Sequence, residues 1–116
     1  LVESSPDFGR RMENTVFLEL RRRAGALDNI CYWKNPQQQE VDFVLMRGNH
    51  PRQLVQVCQD ISSPDTKKRE LRALAAASRA LRCRDLLVIT WDYDGTERRA
   101  GVKIKFVPLW KWLLGI

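Results

Sequence analysis

The sequence predicts an α/β domain built on a mixed sheet with helices on its faces, and three observations carry that expectation. Two segments of helical periodicity, Gly9 to Arg23 and the stretch that follows Pro64, flank runs of alternating apolar residues. Three short strand-like runs follow one another between residues 30 and 59, separated by turn-forming residues, the pattern of an antiparallel meander. Asp85 to Trp91 (Asp-Leu-Leu-Val-Ile-Thr-Trp) is a nearly continuous apolar strand, as expected at the centre of a sheet covered on both faces.

Each element has a local reason. In the first helix Met12, Val16, Phe17, Leu20 and Ala24 recur at helical spacing, and Gly25 supplies a stop. Ile30 to Lys34 is β-branched and aromatic, hence strand, and Asn35-Pro36 breaks it. A strand from Glu40 to Met46, the Gly48-Asn49 turn and a strand from Gln53 to Gln59 complete the meander. A strand period of two puts Glu40, Asp42 and Val44 on one face and Val41, Phe43 and Leu45 on the other, while Leu54, Gln56 and Cys58 share a face on the next strand. Ser62-Ser63-Pro64-Asp65 combines a capping hydroxyl, a first-turn proline and an acid at the positive end of the dipole. A helix therefore starts there and runs to about Arg82, with Leu71, Leu74, Ala75, Ser78 and Leu81 as its stripe and an Ala-rich middle suited to close packing on the sheet. After the central strand, Asp92 to Ala100 reads as a charged turn region and Val102 to Val107 as the last strand. Pro108 opens a short aromatic helix, Leu109 to Leu114, on which Trp110 and Trp112 cannot both face one direction.

Length and composition bound the class. The 116 residues make one domain, 1–116, and 44% hydrophobic with 29% charged residues are ordinary globular values. Twenty Lys and Arg against fourteen Asp and Glu leave a net charge of +6, a balance that suits a polyanionic partner such as nucleic acid or simply serves solubility. Cys31, Cys58 and Cys83 are widely spaced, lack a CxxC or Cys/His pairing, and lie in or beside apolar runs. They read as reduced, buried thiols of a cytoplasmic protein rather than as a disulfide framework or a zinc site. His50 is the only histidine and sits in the turn Arg47-Gly48-Asn49-His50-Pro51, so a catalytic histidine dyad cannot be assembled. No apolar run approaches the roughly twenty residues of a membrane helix, and the first residue, Leu1, suggests a piece of a longer polypeptide.

Few residues could carry chemistry. On a helical wheel Glu13 falls between Leu20 and Phe17 inside the apolar stripe, where a carboxylate needs a cation or a hydrogen-bond donor. Asp42 lies on a strand that such a helix would cover, so the two acids could converge on one Mg²⁺, or each could serve an ordinary structural role. Basic residues cluster as Arg10-Arg11, Arg21-Arg22-Arg23, Lys67-Lys68-Arg69 and Arg98-Arg99. They are solvated faces or phosphate-contacting surfaces, with Arg10, Arg11, Lys67, Lys68 and Arg69 the candidates for nucleic acid.

The strings Gly9-Arg10-Arg11-Met12-Glu13-Asn14-Thr15-Val16-Phe17-Leu18-Glu19-Leu20, Tyr32-Trp33, Glu40-Val41-Asp42-Phe43-Val44, Leu54-Val55-Gln56-Val57-Cys58 and Ile104-Lys105-Phe106-Val107-Pro108-Leu109-Trp110-Lys111-Trp112-Leu113-Leu114 cover nearly the whole chain. In combination they resemble the C-terminal domain of a family of archaeal and bacterial AAA-type ATPases of unknown biological role, allied to the PD-(D/E)XK, or restriction-endonuclease-like, superfamily. The resemblance implies a restriction-endonuclease-like fold, an ATPase domain upstream in the same protein and, in an active member, a Mg²⁺ site. It assigns the helix acid to Glu13 and the strand acid to Asp42, both as metal ligands. The third-strand acid and lysine fall on Gln56 and Cys58, which offer only a neutral carbonyl oxygen and a thiol. Lys67, on the sheet-facing stripe of the second long helix, is the candidate relocated lysine or else an edge lysine, and Glu70, on the stripe's border, is the candidate replacement acid. No G-x-x-x-x-G-K-[ST] phosphate loop occurs in this chain. The expectation is a nuclease-derived accessory domain, nucleic-acid-binding or regulatory, with a degenerate catalytic motif. The alternatives are an active Mg²⁺-dependent DNA nuclease using Glu13, Asp42 and Lys67, and an oligomerisation domain built on the C-terminal aromatic segment.

Overall fold

A computed structural model describes residues 6–116. The elements are α1 (Pro6–Arg23), β1 (Asp28–Lys34), β2 (Glu40–Arg47), β3 (His50–Cys58), α2 (Pro64–Leu81), β4 (Leu86–Thr90), β5 (Gly95–Arg99), β6 (Val102–Pro108) and α3 (Leu109–Leu114). They form one six-stranded mixed sheet in the order β1-β2-β3-β4-β6-β5. The meander β1-β2-β3 is antiparallel, β3-β4-β6 is parallel, and β5 closes the far edge antiparallel to β6.

Two apolar layers sandwich the sheet. Beneath α2, Leu71, Leu74 and Ala77 meet Val41, Val44, Leu54, Val88, Ile104 and Phe106. Beneath α1 and α3, Met12, Val16, Leu20, Leu109 and Trp112 meet Phe43, Val55, Leu87, Ile89 and Val107. Every residue of β4 is buried, as its continuous apolar run requires. Ser78, the one hydroxyl of α2 in this core, donates to the Cys83 carbonyl at 2.6 Å, and Arg82 takes the left-handed conformation that ends the helix. Replacing Ser78 by Ala leaves that carbonyl without the hydroxyl, so Ser78→Ala is expected to cost about 1 kcal/mol in a urea titration.

Several expectations need correction. The charged segment read as a turn contains β5: Gly95 to Arg99 alternates half-buried and exposed residues, and it pairs along its whole length with β6. Polar residues at an edge strand need only one apolar neighbour, which masks the period-two signal. Ser63 occupies the cap position of α2 but makes no side-chain capping bond. Cys31 is exposed, while Cys58 and Cys83 are buried and free. Glu13 is exposed and does not lie in the middle of the apolar stripe, which is carried by Met12, Val16 and Leu20.

The regular alternation predicted for β2 also fails. Cys31 pairs with Val44 and Trp33 with Val41, so the single residue Tyr32 faces both Asp42 and Phe43. That bulge resets the period: Val41 joins Val44 beneath α2, while Phe43 lies beneath α1. Asp42, at the bulge, is turned along the sheet toward β3.

Candidate functional site at the fork between β2 and β3

The ladder between β2 and β3 runs from Arg47↔His50 to Phe43↔Val55 and stops there, although both strands continue. Beyond that pair, side chains replace the missing backbone bonds. The Asp42 backbone N–H donates to Gln56 Oε1 at 2.8 Å, and Gln56 Nε2 donates to the Glu40 carbonyl at 3.0 Å. In return Val57 N–H donates to Asp42 Oδ2 at 2.8 Å. One donor and one acceptor on β2 fix which way the Gln56 amide points, and a carboxylate could satisfy only the first of them. Gln56 is 1% exposed, so its amide is a neutral clamp inside the fork.

Acidic side chains gather around this clamp. Burial raises the Asp42 carboxyl to about 7 against the opposing Val57 N–H bond, and Glu13, Glu70 and Glu40 add to the rise. Burial likewise holds Glu70 above the usual carboxylate range; Arg69 opposes the rise and Glu13 adds to it. The Cys58 thiol is pushed up to about 11, first by burial and then by Glu70, and so stays neutral. Glu13 reaches the neighbourhood from the opposite face, beside Phe43, Arg10 and Asn14.

Basic residues form the walls. A cleft of about 590 Å³ is lined by Gln37, Gln38, Gln39, Glu40 and Asp42 on one side and by Asp65, Lys68, Arg69, Glu70, Arg72 and Ala73 of α2 on the other. Arg10 and Arg11 lie on the N-terminal half of α1, whose Gly9 abuts Gln59 just beyond the exit of β3. The N-terminal halves of α1 and α2 thus stand on opposite faces of the sheet at the carboxyl end of the parallel pair β3-β4, the usual place for ligand sites in open α/β sheets.

Lys67 goes elsewhere. It points toward the sheet, as its place on the stripe predicts, but its Nζ pairs with Glu97 of β5 at 2.6 Å and lies 5.8 Å from the Phe106 ring and 5.9 Å from the Tyr93 ring. Between β2 and β5 stand β3, β4 and β6, so this lysine is committed to the far edge of the sheet. From α2 it is Glu70 that reaches Gln56 and Asp42. Among the described residues no three His, Cys, Asp or Glu side chains stand close enough to hold a metal ion. The Gln56 oxygen is engaged by the Asp42 N–H. The Gln37-Gln38-Gln39 lip and Arg72 were not identified from the sequence; the run of three polar amides directly before Glu40 is the signal that marks the lip.

Fold and fork define an α/β domain with a mixed six-stranded sheet and a polar cleft where its meander opens. The chain belongs to the family described as Domain of unknown function (DUF4143), whose model matches residues 8–112. It is 34% identical over 116 residues to Uncharacterized protein MJ1544 of Methanocaldococcus jannaschii, a match that covers 95% of this chain and 26% of that protein. The chain therefore spans about a quarter of that relative's length. Its fold is similar to that of a chain in the tetradecameric assembly of Thermococcus gammatolerans McrB AAA+ hexamers with bound McrC, with a TM-score of 0.57 and 15% identity over 86% of this chain and 27% of that one. No helix among the described residues is long and apolar enough to cross a membrane.

Proposed function

We propose that this domain is a nuclease-derived module of restriction-endonuclease-like descent that binds nucleic acid on behalf of an AAA-type ATPase and does not cut it. The observation that carries the reading is the Gln56 clamp. The position where an active relative would hold a metal-binding acid is filled by an amide bonded to the Asp42 N–H and the Glu40 carbonyl. The lysine that could have restored catalysis is paired with Glu97, and Cys58 supplies no positive charge in its place. What the fork retains is a polar cleft walled by Lys68, Arg69 and Arg72, while Arg10 and Arg11 stand on α1, on the opposite face of the sheet. Such side chains meet phosphates without reading sequence. The ATPase association is supported by the resemblance in the motifs and by the fold likeness to a chain of the McrB AAA+ and McrC assembly.

Fluorescence anisotropy with a labelled duplex tests the binding. Affinity is expected to fall steeply with salt, and the combined variant Arg10→Ala, Arg11→Ala, Lys68→Ala, Arg69→Ala is expected to weaken it and flatten the salt dependence by about one logarithmic slope unit per lost phosphate contact. The same DNA is expected to survive incubation with Mg²⁺ or Mn²⁺. Cleavage that disappears in Asp42→Asn would replace this reading with the nuclease, and binding that is absent or indifferent to salt would remove nucleic acid as the partner. An oligomerisation role has its own observation, the exposure of Trp110, Leu114 and Ile116 at the C-terminal end. Light scattering across a concentration series decides it.

A further inference from the structure

We infer that the open face of β5 and β6 is a second phosphate-contacting surface, separate from the cleft at the fork. It deepens the nucleic-acid reading and rests on it. On β6, Ile104 and Phe106 are buried beneath α2, whereas Val107 faces α1 and α3. The strand period therefore aims Lys103 and Lys105 to the α1 side of the sheet, where both are exposed. The register of β5 sets Arg98 directly opposite Lys103 and Thr96 directly opposite Lys105, and Thr96 and Arg98 are exposed as well. Arg98 and Arg99, adjacent in sequence, thus point to opposite faces, and only Arg98 joins the two lysines.

Three cations and a hydroxyl consequently share one patch. Cross-strand neighbours lie about 5 Å apart at Cβ and alternate residues of a strand about 6.8 Å apart, so the positive charges repel one another at close range. Among the described residues Arg98, Lys103 and Lys105 form no ion pair and no side-chain hydrogen bond, and the nearby acids Asp94 and Glu97 are paired with other lysines. Asp85 accepts from Gln53 Nε2, Asp94 pairs with Lys111, and Glu97 pairs with Lys67 on the opposite face. Like charges placed opposite each other across an edge ladder destabilise it, and an external polyanion is the partner that reverses the sign of that interaction. Lysines with no apolar anchor among them are a poor centre for a protein interface, which buries aromatic and aliphatic groups and depletes lysine. Phosphate contact needs only positive charge and hydrogen-bond donors, and the Thr96 hydroxyl adds one.

The triple variant Arg98→Thr, Lys103→Thr, Lys105→Thr keeps β-favouring residues at exposed sites and removes the opposed charges, so the chain is expected to melt no lower than the parent. Its affinity for a labelled duplex is expected to fall roughly tenfold or more, with a salt slope shallower by about three. A parent that binds and a variant that binds equally well, with the same slope, would overturn this surface and leave the fork as the binding site. Failure of the parent to bind any duplex would overturn the nucleic-acid reading and this surface with it. Unchanged duplex affinity together with variant-sensitive binding of a polyglutamate peptide would overturn it in favour of an acidic protein.

Discussion

Gln56→Glu is expected to destabilise the chain by about 3–5 kcal/mol at pH 8, the cost typical of an uncompensated buried charge. The amide donates to the Glu40 carbonyl and accepts from the Asp42 N–H, and it is 1% exposed. A carboxylate keeps the second bond, turns lone pairs on the Glu40 carbonyl, and adds a negative charge to the group formed by Glu13, Glu40, Asp42 and Glu70. Three consequences are measurable by chemical denaturation. The loss is large at pH 8, it shrinks as acid protonates the new carboxyl, and it is partly reversed by Mg²⁺ or Mn²⁺ in the variant while the parent gains little. Equal stability of parent and variant at pH 8 would mean that the fork is not held by this amide. Metal rescue of the variant would support the proposed nuclease descent, because glutamate sets a second carboxylate beside Asp42.

Asp42→Asn is expected to stabilise the chain at pH 8 by on the order of 4 kcal/mol, and to have little effect near pH 3.5. Burial, with help from Glu13, Glu70 and Glu40, raises the Asp42 carboxyl from 3.8 to about 7 in the folded chain. Between those values the folded state holds a proton that the unfolded state has released, so stability falls as the pH rises from about 4 through 7. Below about 4 both states are protonated and the stabilisation is fully present; above about 7 both are ionised and it is fully lost. Asparagine cannot ionise, and its carbonyl oxygen can still accept from the Val57 N–H that now bonds Asp42 Oδ2. The difference between parent and variant should therefore open across this window. A difference that stays flat with pH would show that Asp42 ionises freely in the folded chain.

The two variants also separate a binding module from an enzyme. An amide at position 42 abolishes any cutting, whereas phosphate contact through Lys68, Arg69, Arg72 and the β5-β6 face should persist.

Much of the fold could be read from local pattern. The long helices carry apolar residues at helical spacing, β4 is uniformly apolar because both of its faces are covered, and Pro64 with Asp65 marks the start of α2. The opposed directions of Trp110 and Trp112 followed from helix geometry, and one is exposed while the other is buried. β5 escaped because Gly95-Thr96-Glu97-Arg98-Arg99 is polar throughout and becomes a strand only by pairing with β6. The site was legible in part. Asp42 and Gln56 were marked by position, and both lie in the fork. Glu13 was expected inside the stripe, but the buried line of α1 runs through Met12, Val16 and Leu20 and leaves Glu13 exposed beside Phe43.

Residue identity and the periods of 2 and 3.6 were enough for the class of the domain, the order of its main elements and the presence of Gln56 and Cys58 in the third strand. Tertiary structure alone decided what those residues do. The bulge that turns Asp42 toward β3, the two bonds that make Gln56 a clamp, the pairing of Lys67 with Glu97 and the alignment of Arg98 with Lys103 all join residues far apart in sequence or depend on strand register. No local pattern encodes those contacts, because register and helix placement are set by how the two apolar layers close over the sheet.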